Sequence, residues 1–383
     1  MSELQFEDFP NEVILTIFSF LDVKDLIQCV KVSKRVRAIC HDDSLWNSVL
    51  WPGISSSDMI GMAYVASWKK INLYFKTIPA EFINYILIYG SCKYLSLWSA
   101  DLIGNMNLNQ KSPLKYLDLN FCKANDDVLN NLISACDSLE KLSLRNLTLN
   151  GKMIKAISEN GKTLQVLNLE GCCGLILDRY RISSHNFNRN LASNQVVPGI
   201  LEPIAPIIRS CNELVEVNFG STGLSFNSIS FLADNLTTKV QRLSLSDLEF
   251  LRDPHIECLL PKCTKITKLD LKRTSITEKS AKRIAFYLRS ILEELDVSYT
   301  KIKNTIPELA AMPKLKILNC RGILKPEKIQ LLKQQFPNLS INEDYFHFAN
   351  SDETFHPRDG FWDIKAQQFQ FKGALKQAIQ NSI

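Results

Sequence analysis

The chain has 383 residues, more than one ordinary hydrophobic core needs, so we expect two domains or one elongated repeat array. Hydrophobic residues make up 45% of it and charged residues 22%, which is typical of a folded protein and excludes a disordered or collagen-like chain. The net charge of +5 is too dilute for nucleic acid, and no apolar stretch approaches the roughly 20 residues of a membrane-spanning helix. We therefore expect neither nucleic acid nor a membrane as a partner.

The cysteine and histidine content argues against metal binding and catalysis. Eleven cysteines are an odd number, and the N-terminus is acidic where an export signal would be basic, so we expect reduced thiols in the nucleus or cytoplasm. No CxxC pair or Cys/His cluster with zinc spacing occurs, and no histidine lies in a recognisable nucleophile motif. The sequence predicts no metal, no cofactor and no catalytic residue, and we expect a protein that is not an enzyme.

Residues 1–50 predict three short helices. Pro10 suits the first turn of the first helix, Asp22 caps the second and Ser33 begins the third. Fifty residues cannot bury so many apolar side chains internally, so we expect an exposed apolar patch that binds a partner. Residues 51–67 are expected to form a linker helix.

A set of residues in this segment has the spacing of a known module. They are Phe9-Pro10-x-Glu12, Ile14, Phe18, Leu21, Asp25-Leu26, Val32-Ser33-Lys34 and Ser44-Leu45-Trp46. Together they resemble the F-box, which in its family binds the Skp adaptor of cullin-RING ubiquitin ligases. The resemblance implies that such an adaptor contacts Phe9, Pro10, Ile14, Phe18, Leu21, Leu26, Val32, Leu45 and Trp46.

The rest of the chain repeats a segment of the form L-x-x-L-x-L. Eight clear copies begin at Leu114, Leu139, Leu164, Leu214, Val240, Ile266, Leu292 and Leu315. Degenerate copies begin at Trp68 and Cys92, and a short one at Leu339 closes the series. A period near 25 is typical of leucine-rich repeats, in which a short strand is followed by a helix. We predict about ten repeats over residues 68–342.

The repeat pattern predicts an α/β fold, with the N-terminal three-helix F-box followed by a curved right-handed leucine-rich-repeat solenoid. Apolar residues at repeat positions 1, 4 and 6 should point inward, while positions 2, 3, 5 and 7 face outward. Helical spacing in the second half of the repeats, as at Val128, Leu129, Leu132 and Ile133, places helices on the outer face. The cysteines that recur at fixed repeat positions should be buried, reduced thiols, and they are Cys122, Cys136, Cys172, Cys211 and Cys263.

The outward positions predict a polar concave surface. Position 5 reads Asp118, Ser143, Asn168, Asn218, Ser244, Asp270, Asp296 and Asn319. The neighbouring columns hold the basic residues Lys141, Arg145, Arg242, Lys268, Lys272, Arg273 and Arg321. These basic groups could bind an acidic or phosphorylated peptide. Acidic residues interleave with them, so the alternative is a solvated surface with internal ion pairs.

Two segments depart from the repeat. The spacing doubles between Leu164 and Leu214, which predicts a polar insertion at 174–199 that either contacts a partner or is merely tolerated. Residues 343–383 are rich in aromatics without repeat spacing, which predicts a tail that caps the last repeat.

Several stretches resemble the S-phase-kinase-associated F-box proteins, which are substrate receptors of cullin-RING ligases. They are residues 138–144, 167–172, 308–318, 322–333 and 361–365. The resemblance implies a non-catalytic receptor of an SCF-type ligase, whose protein substrate, such as a phosphorylated cell-cycle regulator, contacts the concave face and Trp362 of the tail. The chain has Ser221, Glu249, Arg273 and Tyr299 where that family contacts a Cks accessory protein, so we do not expect Cks dependence. We take Arg273 and Tyr299 as substrate-binding candidates, and a repeat scaffold outside ubiquitin ligases is the alternative.

Overall fold

The computed structural model describes residues 9–21, 23–40, 42, 45, 70–73, 77–89, 92–106, 110–175 and 203–343. These residues belong to one compact unit. The predicted linker helix, Trp46, most of the insertion and the tail beyond Glu343 with Trp362 lie outside them. Within this described part, no helix has the length and apolar character needed to cross a membrane, and no cluster of His, Cys, Asp or Glu side chains could hold a metal ion.

The N-terminal module contains the three predicted helices. They are α1 (Asn11–Phe18), α2 (Val23–Cys29) and α3 (Lys34–Cys40). Pro10 precedes the first turn of α1, where its missing N–H leaves no intrahelical bond unmade. The Ser33 hydroxyl accepts a hydrogen bond from the backbone N–H of Val36 (3.1 Å) and so caps α3. Arg35 donates to the carbonyl of Phe9 (2.5 Å), which ties α3 to the start of α1.

Every repeat predicted from the sequence carries a short strand. In chain order the strands are β1 (Lys70–Asn72), β2 (Thr77–Pro79), β3 (Tyr94–Ser96), β4 (Asp101–Ile103), β5 (Tyr116–Asp118), β6 (Lys141–Ser143), β7 (Val166–Asn168), β8 (Glu216–Asn218), β9 (Arg242–Ser244), β10 (Lys268–Asp270), β11 (Glu294–Asp296), β12 (Ile317–Asn319) and β13 (Ser340–Ile341). In the described chain, 11 of them form a parallel sheet in the order β1-β3-β5-β6-β7-β8-β9-β10-β11-β12-β13. The apolar residues at repeat position 4 pair in register from strand to strand, as Leu117 does with Leu142. The remaining strands, β2 and β4, form a small parallel sheet that the sequence did not predict.

The 50-residue spacing between two repeat starts does not interrupt the sheet. Strand β7 pairs directly with β8, and Leu167 lies opposite Val217. The extra residues therefore add no strand between these two repeats, which agrees with an insertion.

Helices follow the strands as predicted. They are α4 (Ala80–Tyr89), α5 (Asp126–Ala135), α6 (Gly151–Glu159), α7 (Ala205–Ser210), α8 (Phe226–Asn235), α9 (Asp253–Leu259), α10 (Glu278–Tyr287), α11 (Ile306–Ala310) and α12 (Pro326–Gln335). Each of α5, α6 and α8 begins with a side-chain cap, as where Asn125 accepts from the N–H of Val128 (2.8 Å). Packed helices need 8–10 Å each whereas strands need only about 4.8 Å, so the array curves with its strands on the concave side.

The repeated cysteines pack in the core, as predicted. All eleven cysteines of the chain are free thiols, and the five at recurring positions are buried. The thiol of Cys122 donates to the carbonyl of Leu97 (2.7 Å), and that of Cys172 to the carbonyl of Leu144 (2.8 Å), so each bonds to the preceding repeat. Burial raises the pKa of Cys172 to about 12, which keeps it protonated and unreactive at neutral pH.

Candidate protein-binding surfaces

We call the strand face the surface formed by repeat positions 3, 5, 7 and 8 from β3 to β12. In the repeat that begins at Ile266 these positions are Lys268, Asp270, Lys272 and Arg273. All but one of the predicted substrate-binding residues lie on this face, and Trp362 is the exception because it is outside the described residues.

The polar column at position 5 does not face solvent, which corrects the prediction. Seven of its eight residues are at most 7% exposed, and Asn168 is half-buried. Several of these side chains accept a hydrogen bond from the backbone N–H two residues later, as Asp118 does from Asn120 (2.9 Å) and Asn218 from Gly220 (2.9 Å). Because the strands are so close together, short side chains here are covered by their neighbours and bond to the protein instead of water. The column stabilises the strand ends.

Buried carboxyl groups in this column hold their protons more tightly than usual. Burial raises the pKa of Asp118 to about 6, although the Ser96 hydroxyl donates to it (2.8 Å). Burial also raises the pKa of Asp270, the Lys272 ammonium lowers it, and the carboxyl of Asp296 on the next strand raises it again. These two carboxyl groups therefore lose their protons at a higher pH than exposed aspartates do.

Charged residues at position 3 form ion pairs between neighbouring strands. Arg242 Nη1 lies 2.9 Å from Glu216 Oε2, and Lys268 Nζ lies 2.5 Å from Glu294 Oε1. The Glu216 side chain is only 3% exposed, and burial raises its pKa while Arg242 lowers it. A buried carboxylate needs its cation, so Arg242 is held within the sheet. The Arg242–Glu216 and Lys268–Glu294 pairs fit the alternative given by the sequence, a surface whose charges pair with one another.

A third pair lies in the early repeats. Arg145 Nη2 is 2.6 Å from Glu170 Oε1, and these side chains are 13% and 18% exposed. The Arg145 guanidinium also lies 5.5 Å from the centroid of the Phe121 ring. Asn218 donates to the second carboxylate oxygen of Glu170 (3.0 Å), so this pair is fixed from both sides.

The other predicted basic residues are also partly covered. Lys272 Nζ lies 4.0 Å from Asp270 Oδ2, and Arg321 donates to the carbonyl of Asn342 (2.8 Å). Lys141 is half-buried on β6. These residues contribute positive charge to the strand face, and target binding by them stays a prediction.

In nine repeats of the described chain, one residue has a left-handed backbone where the chain turns away from the strand. These residues are Ser99, Phe121, Asn146, Gly171, Ser221, Asp247, Arg273, Tyr299 and Gly322. The left-handed region costs a residue with a Cβ atom roughly 1–2 kcal/mol. Because nine repeats share it, the sharp turn is imposed by the repeat geometry and not by any single side chain.

Two neighbours in this left-handed column form an exposed stack. The Arg273 guanidinium lies 5.4 Å from the centroid of the Tyr299 ring, and its Nη1 atom is 3.4 Å from Asp247 Oδ1. The Arg273 side chain is 63% exposed, and Tyr299 is 55% exposed. Tyrosine and arginine are enriched among the residues that dominate binding energy, so this pair is the best-placed contact of the strand face.

The early repeats carry an aromatic group that the sequence reasoning missed. The rings of Trp98 and Phe121 meet edge to face at 5.8 Å, and those of Tyr94 and Tyr116 lie 6.1 Å apart. The sequence held a signal for this group, because Tyr94 and Tyr116 occupy the same position of successive repeats. The strand face thus carries these aromatic rings in its first repeats, in addition to the charged residues of the repeats that follow.

Three predicted adaptor contacts are buried inside the N-terminal module, and adaptor binding by them stays a prediction. Ile14, Phe18 and Leu26 are at most 4% exposed and belong to the buried core together with Val36 and Ile39. They stabilise the three helices and are not available to a partner in this conformation.

Of the exposed apolar side chains described in this module, Val32 is a predicted adaptor contact, whereas Phe20, Val13 and Ile17 are not. Phe20 is 85% exposed and Val32 is 71% exposed, while Val13 and Ile17 on α1 are 39% and 43% exposed. Val13 and Ile17 are one turn apart and therefore share a helix face. Of the other predicted contacts, Pro10 is exposed, and Phe9, Leu21 and Leu45 are half-buried.

Comparison with known proteins describes the N-terminal module. Residues 6–50 match the F-box-like family. A segment of 77 residues is 29% identical to the ubiquitin ligase complex F-box protein UFO1 of Saccharomyces cerevisiae, and it covers 18% of this chain and 12% of that protein. The chain therefore has an F-box-like domain and a weak similarity to an F-box protein of a ubiquitin ligase complex.

Solved structures resemble the chain distantly. An internalin (inlF) of Listeria monocytogenes has 16% sequence identity and a TM-score of 0.43, with 83% of this chain and 80% of that chain covered. Internalin C2 of the same organism has 17% identity and a TM-score of 0.33, with 57% and 76% covered. The parallel α/β repeat fold follows from the strand order and register of the chain itself.

Proposed function

We propose that this chain is the substrate-binding subunit of an SCF-type (Skp–cullin–F-box) ubiquitin ligase in the nucleus or cytoplasm. The observation that carries the proposal is the F-box-like domain at residues 6–50, which precedes a repeat array with an exposed Arg273–Tyr299 stack. The domain binds a Skp-type adaptor and the strand face binds a target protein. The ligase then ubiquitinates the target because its lysines are held close to the ubiquitin-charged enzyme, and this chain performs no covalent step.

Exposed apolar residues support the adaptor contact. A phenylalanine as exposed as Phe20 is unfavourable in water, and Val13, Ile17 and Val32 add apolar surface on the same module. Several exposed apolar side chains on one small module favour a protein-interaction site. We therefore assign the adaptor contact to these four residues together with Pro10.

The target class is the finer part of the proposal. The resemblance to S-phase-kinase-associated F-box proteins supports a phosphorylated cell-cycle regulator that is degraded by the proteasome. Arg273 suits that chemistry because guanidinium groups bind phosphate and carboxylate through paired hydrogen bonds. The Arg273–Tyr299 pair would make this contact without a Cks accessory protein.

Co-purification from cells tests the proposal. The wild-type chain should co-purify with a Skp adaptor and a cullin, and Phe20→Ser combined with Val32→Ser should reduce recovery of both by about tenfold or more. Phe286→Ser is the matched control, because Phe286 is 74% exposed but lies on a repeat helix. If the wild-type chain recovers no adaptor, the ligase role is wrong and a scaffold role outside ubiquitin ligases replaces it. If the double variant recovers as much adaptor as the wild type, the assignment of the contact to Phe20 and Val32 is wrong.

A further inference from the structure

The outer face of α10 carries a basic stripe with one aromatic ring that the repeat fold does not require. Its exposed residues are Lys279, Lys282, Arg283, Phe286 and Arg289, which follows the helix end. Their spacing of three and four residues places them on one side of the helix. The opposite side, with Ala281 and Ile284, is buried in the core.

The positive charge of this stripe is poorly neutralised. Arg283 Nε lies 3.8 Å from Glu257, but no acidic residue of the described chain lies within ion-pair distance of Lys279, Lys282 or Arg289. The carboxylate of Glu278, at the start of α10, instead accepts hydrogen bonds from the backbone N–H groups of the next repeat.

The lysines of the outer helix α6 are paired with acidic residues, unlike those of α10. On α6, Lys152 lies 3.2 Å from Asp127, and Lys155 lies 3.7 Å from Glu159. Like charges three or four residues apart, as on α10, destabilise a helix. Features that oppose folding and have no compensating contact are expected mainly at functional sites.

The aromatic ring of the stripe is held in a defined orientation. Phe286 is 74% exposed, and its ring meets that of the half-buried Tyr287 edge to face at 5.0 Å and 89°. An exposed aromatic residue surrounded by cations suits a binding anchor. Its ring can pack on an apolar side chain of a bound partner while the cations contact carboxylates on either side of that side chain.

We propose that the outer face of α10 docks an acidic amphipathic segment of a partner protein. Its carboxylates face Lys279, Lys282 and Arg289, and one apolar side chain packs on Phe286. A ten-residue helix is about 15 Å long, which fits a peptide of two or three helical turns. A membrane would need more than one apolar anchor, and nucleic acid a longer basic surface. The stripe lies on the helix side of the repeats, so docking there leaves the strand face free for a target and does not depend on the proposed ligase role.

Fluorescence anisotropy with the full chain tests this surface. The probe is a labelled helical peptide of Glu, Leu and Ala, compared with a counterpart in which Lys replaces every Glu. We expect the acidic peptide to bind more weakly as salt increases. Phe286→Ser, and Lys282→Glu combined with Arg289→Glu, should each weaken its binding by about tenfold or more. Lys152→Glu combined with Lys155→Glu on α6 is the matched control for charge and should leave binding unchanged.

The proposal is wrong if the α6 control variant weakens binding of the acidic peptide as much as the α10 variants do. It is also wrong if the Lys peptide binds as tightly as the acidic peptide, or if Phe286→Ser leaves the affinity for the acidic peptide unchanged. If the chain binds phosphatidylserine-containing vesicles in a way that requires Phe286 but does not bind the peptide, the stripe is a membrane-binding surface and the proposal is wrong. Arg273→Ala should bind the peptide like the wild type, which separates this surface from the target site. Adaptor co-purification of the same variants reports separately on the ligase role.

Discussion

The ring of Tyr299 occupies space that only a glycine at position 322 leaves open. A Cβ atom on Gly322 would overlap Cδ1 and Cε1 of the ring, and the φ angle of Gly322 is +71°. On the neighbouring strand, the guanidinium of Arg273 lies over the same ring. Three consecutive repeats therefore hold one exposed aromatic residue in place.

Gly322→Ala should displace Tyr299 and destabilise the late repeats. The alanine would be strained by its left-handed backbone, and its methyl group would collide with the ring, so we expect a loss of about 1–2 kcal/mol in the free energy of unfolding. Urea unfolding measures this. Gly151→Ala is the control, because nothing lies within 4 Å of an added Cβ there and the residue starts helix α6. Equal unfolding energies for Gly322→Ala and the wild type would contradict the packing described.

Arg273→Ala and Tyr299→Ala should each weaken target binding by about tenfold. Both side chains are largely exposed, so the free energy of unfolding should change by less than about 0.5 kcal/mol. The measurement is target capture by the assembled ligase, with adaptor recovery as the folding check and Arg289→Ala as an arginine control outside the strand face. Unchanged capture would place the target elsewhere. Reversing the charge of Arg242 or Lys268 is less informative. Arg242 pairs with Glu216 and Lys268 pairs with Glu294, so either change would also destabilise the fold by leaving a carboxylate without its cation.

Asp118→Asn should remove a pH dependence of stability. The folded-state pKa of Asp118 is raised from 3.8 to about 6, so its favourable contribution is complete below pH 3.8 and is lost as the pH rises through 6. The loss is at most roughly 3 kcal/mol. An asparagine can still accept the bond from the N–H of Asn120, so the variant should be more stable than the wild type at pH 8 and similar at pH 4. Urea unfolding between pH 4 and pH 8 measures this pH dependence of the free energy of unfolding. The control Asp137→Asn, at a surface position, should show the same pH dependence as the wild type.

Asp253→Ala should loosen the contact between two repeats. The Asp253 carboxylate accepts hydrogen bonds from the N–H (2.8 Å) and hydroxyl (2.6 Å) of Thr277 and from the hydroxyl of Ser280 (2.6 Å). Removing it leaves these donors without their acceptor, at a cost of about 3 kcal/mol. Burial acts to raise its pKa, but hydrogen bonds from Ser280 and Thr277 outweigh burial and lower it, so this stability is present at neutral pH and is lost as the pH falls below 3.8.

Amide hydrogen exchange should locate that loss. Faster exchange is expected in α9 and α10, which the carboxylate joins. Glu308→Ala, an exposed change on α11, is the matched control. Wild-type exchange in Asp253→Ala would show that the carboxylate does not hold the repeats together.

The repeat spacing was sufficient to predict the main sheet, because each copy buries an aliphatic residue at the same position. Even the degenerate copy at Trp68 contains β1, with Ile71 buried. The small β2–β4 sheet was not predicted because it lacks such a recurring aliphatic position. Its strands have three residues each and bury only Ile78 and Leu102 at their centres, which gives no periodicity to recognise.

The exposed apolar residues of the N-terminal module were harder to predict than the module itself. Ile14 and Ile17 are both aliphatic residues of α1, yet Ile14 is fully buried and Ile17 is 43% exposed. Apolar character alone does not distinguish a core residue from a partner contact. The packing of α3 against α1 decides which side of α1 is covered.

The sequence alone determined the F-box-like domain, the repeat period and the alternation of strands and helices, because these depend on local patterns of apolar residues. Only the tertiary structure decided which charges are available. Arg242 and Arg273 are both basic residues of the strand face, but Arg242 pairs with the buried Glu216 whereas Arg273 is exposed over Tyr299. The reason is that parallel strands bring residues 26 positions apart into contact, and burial then determines whether a paired charge is enclosed by its neighbours or stays exposed to a partner.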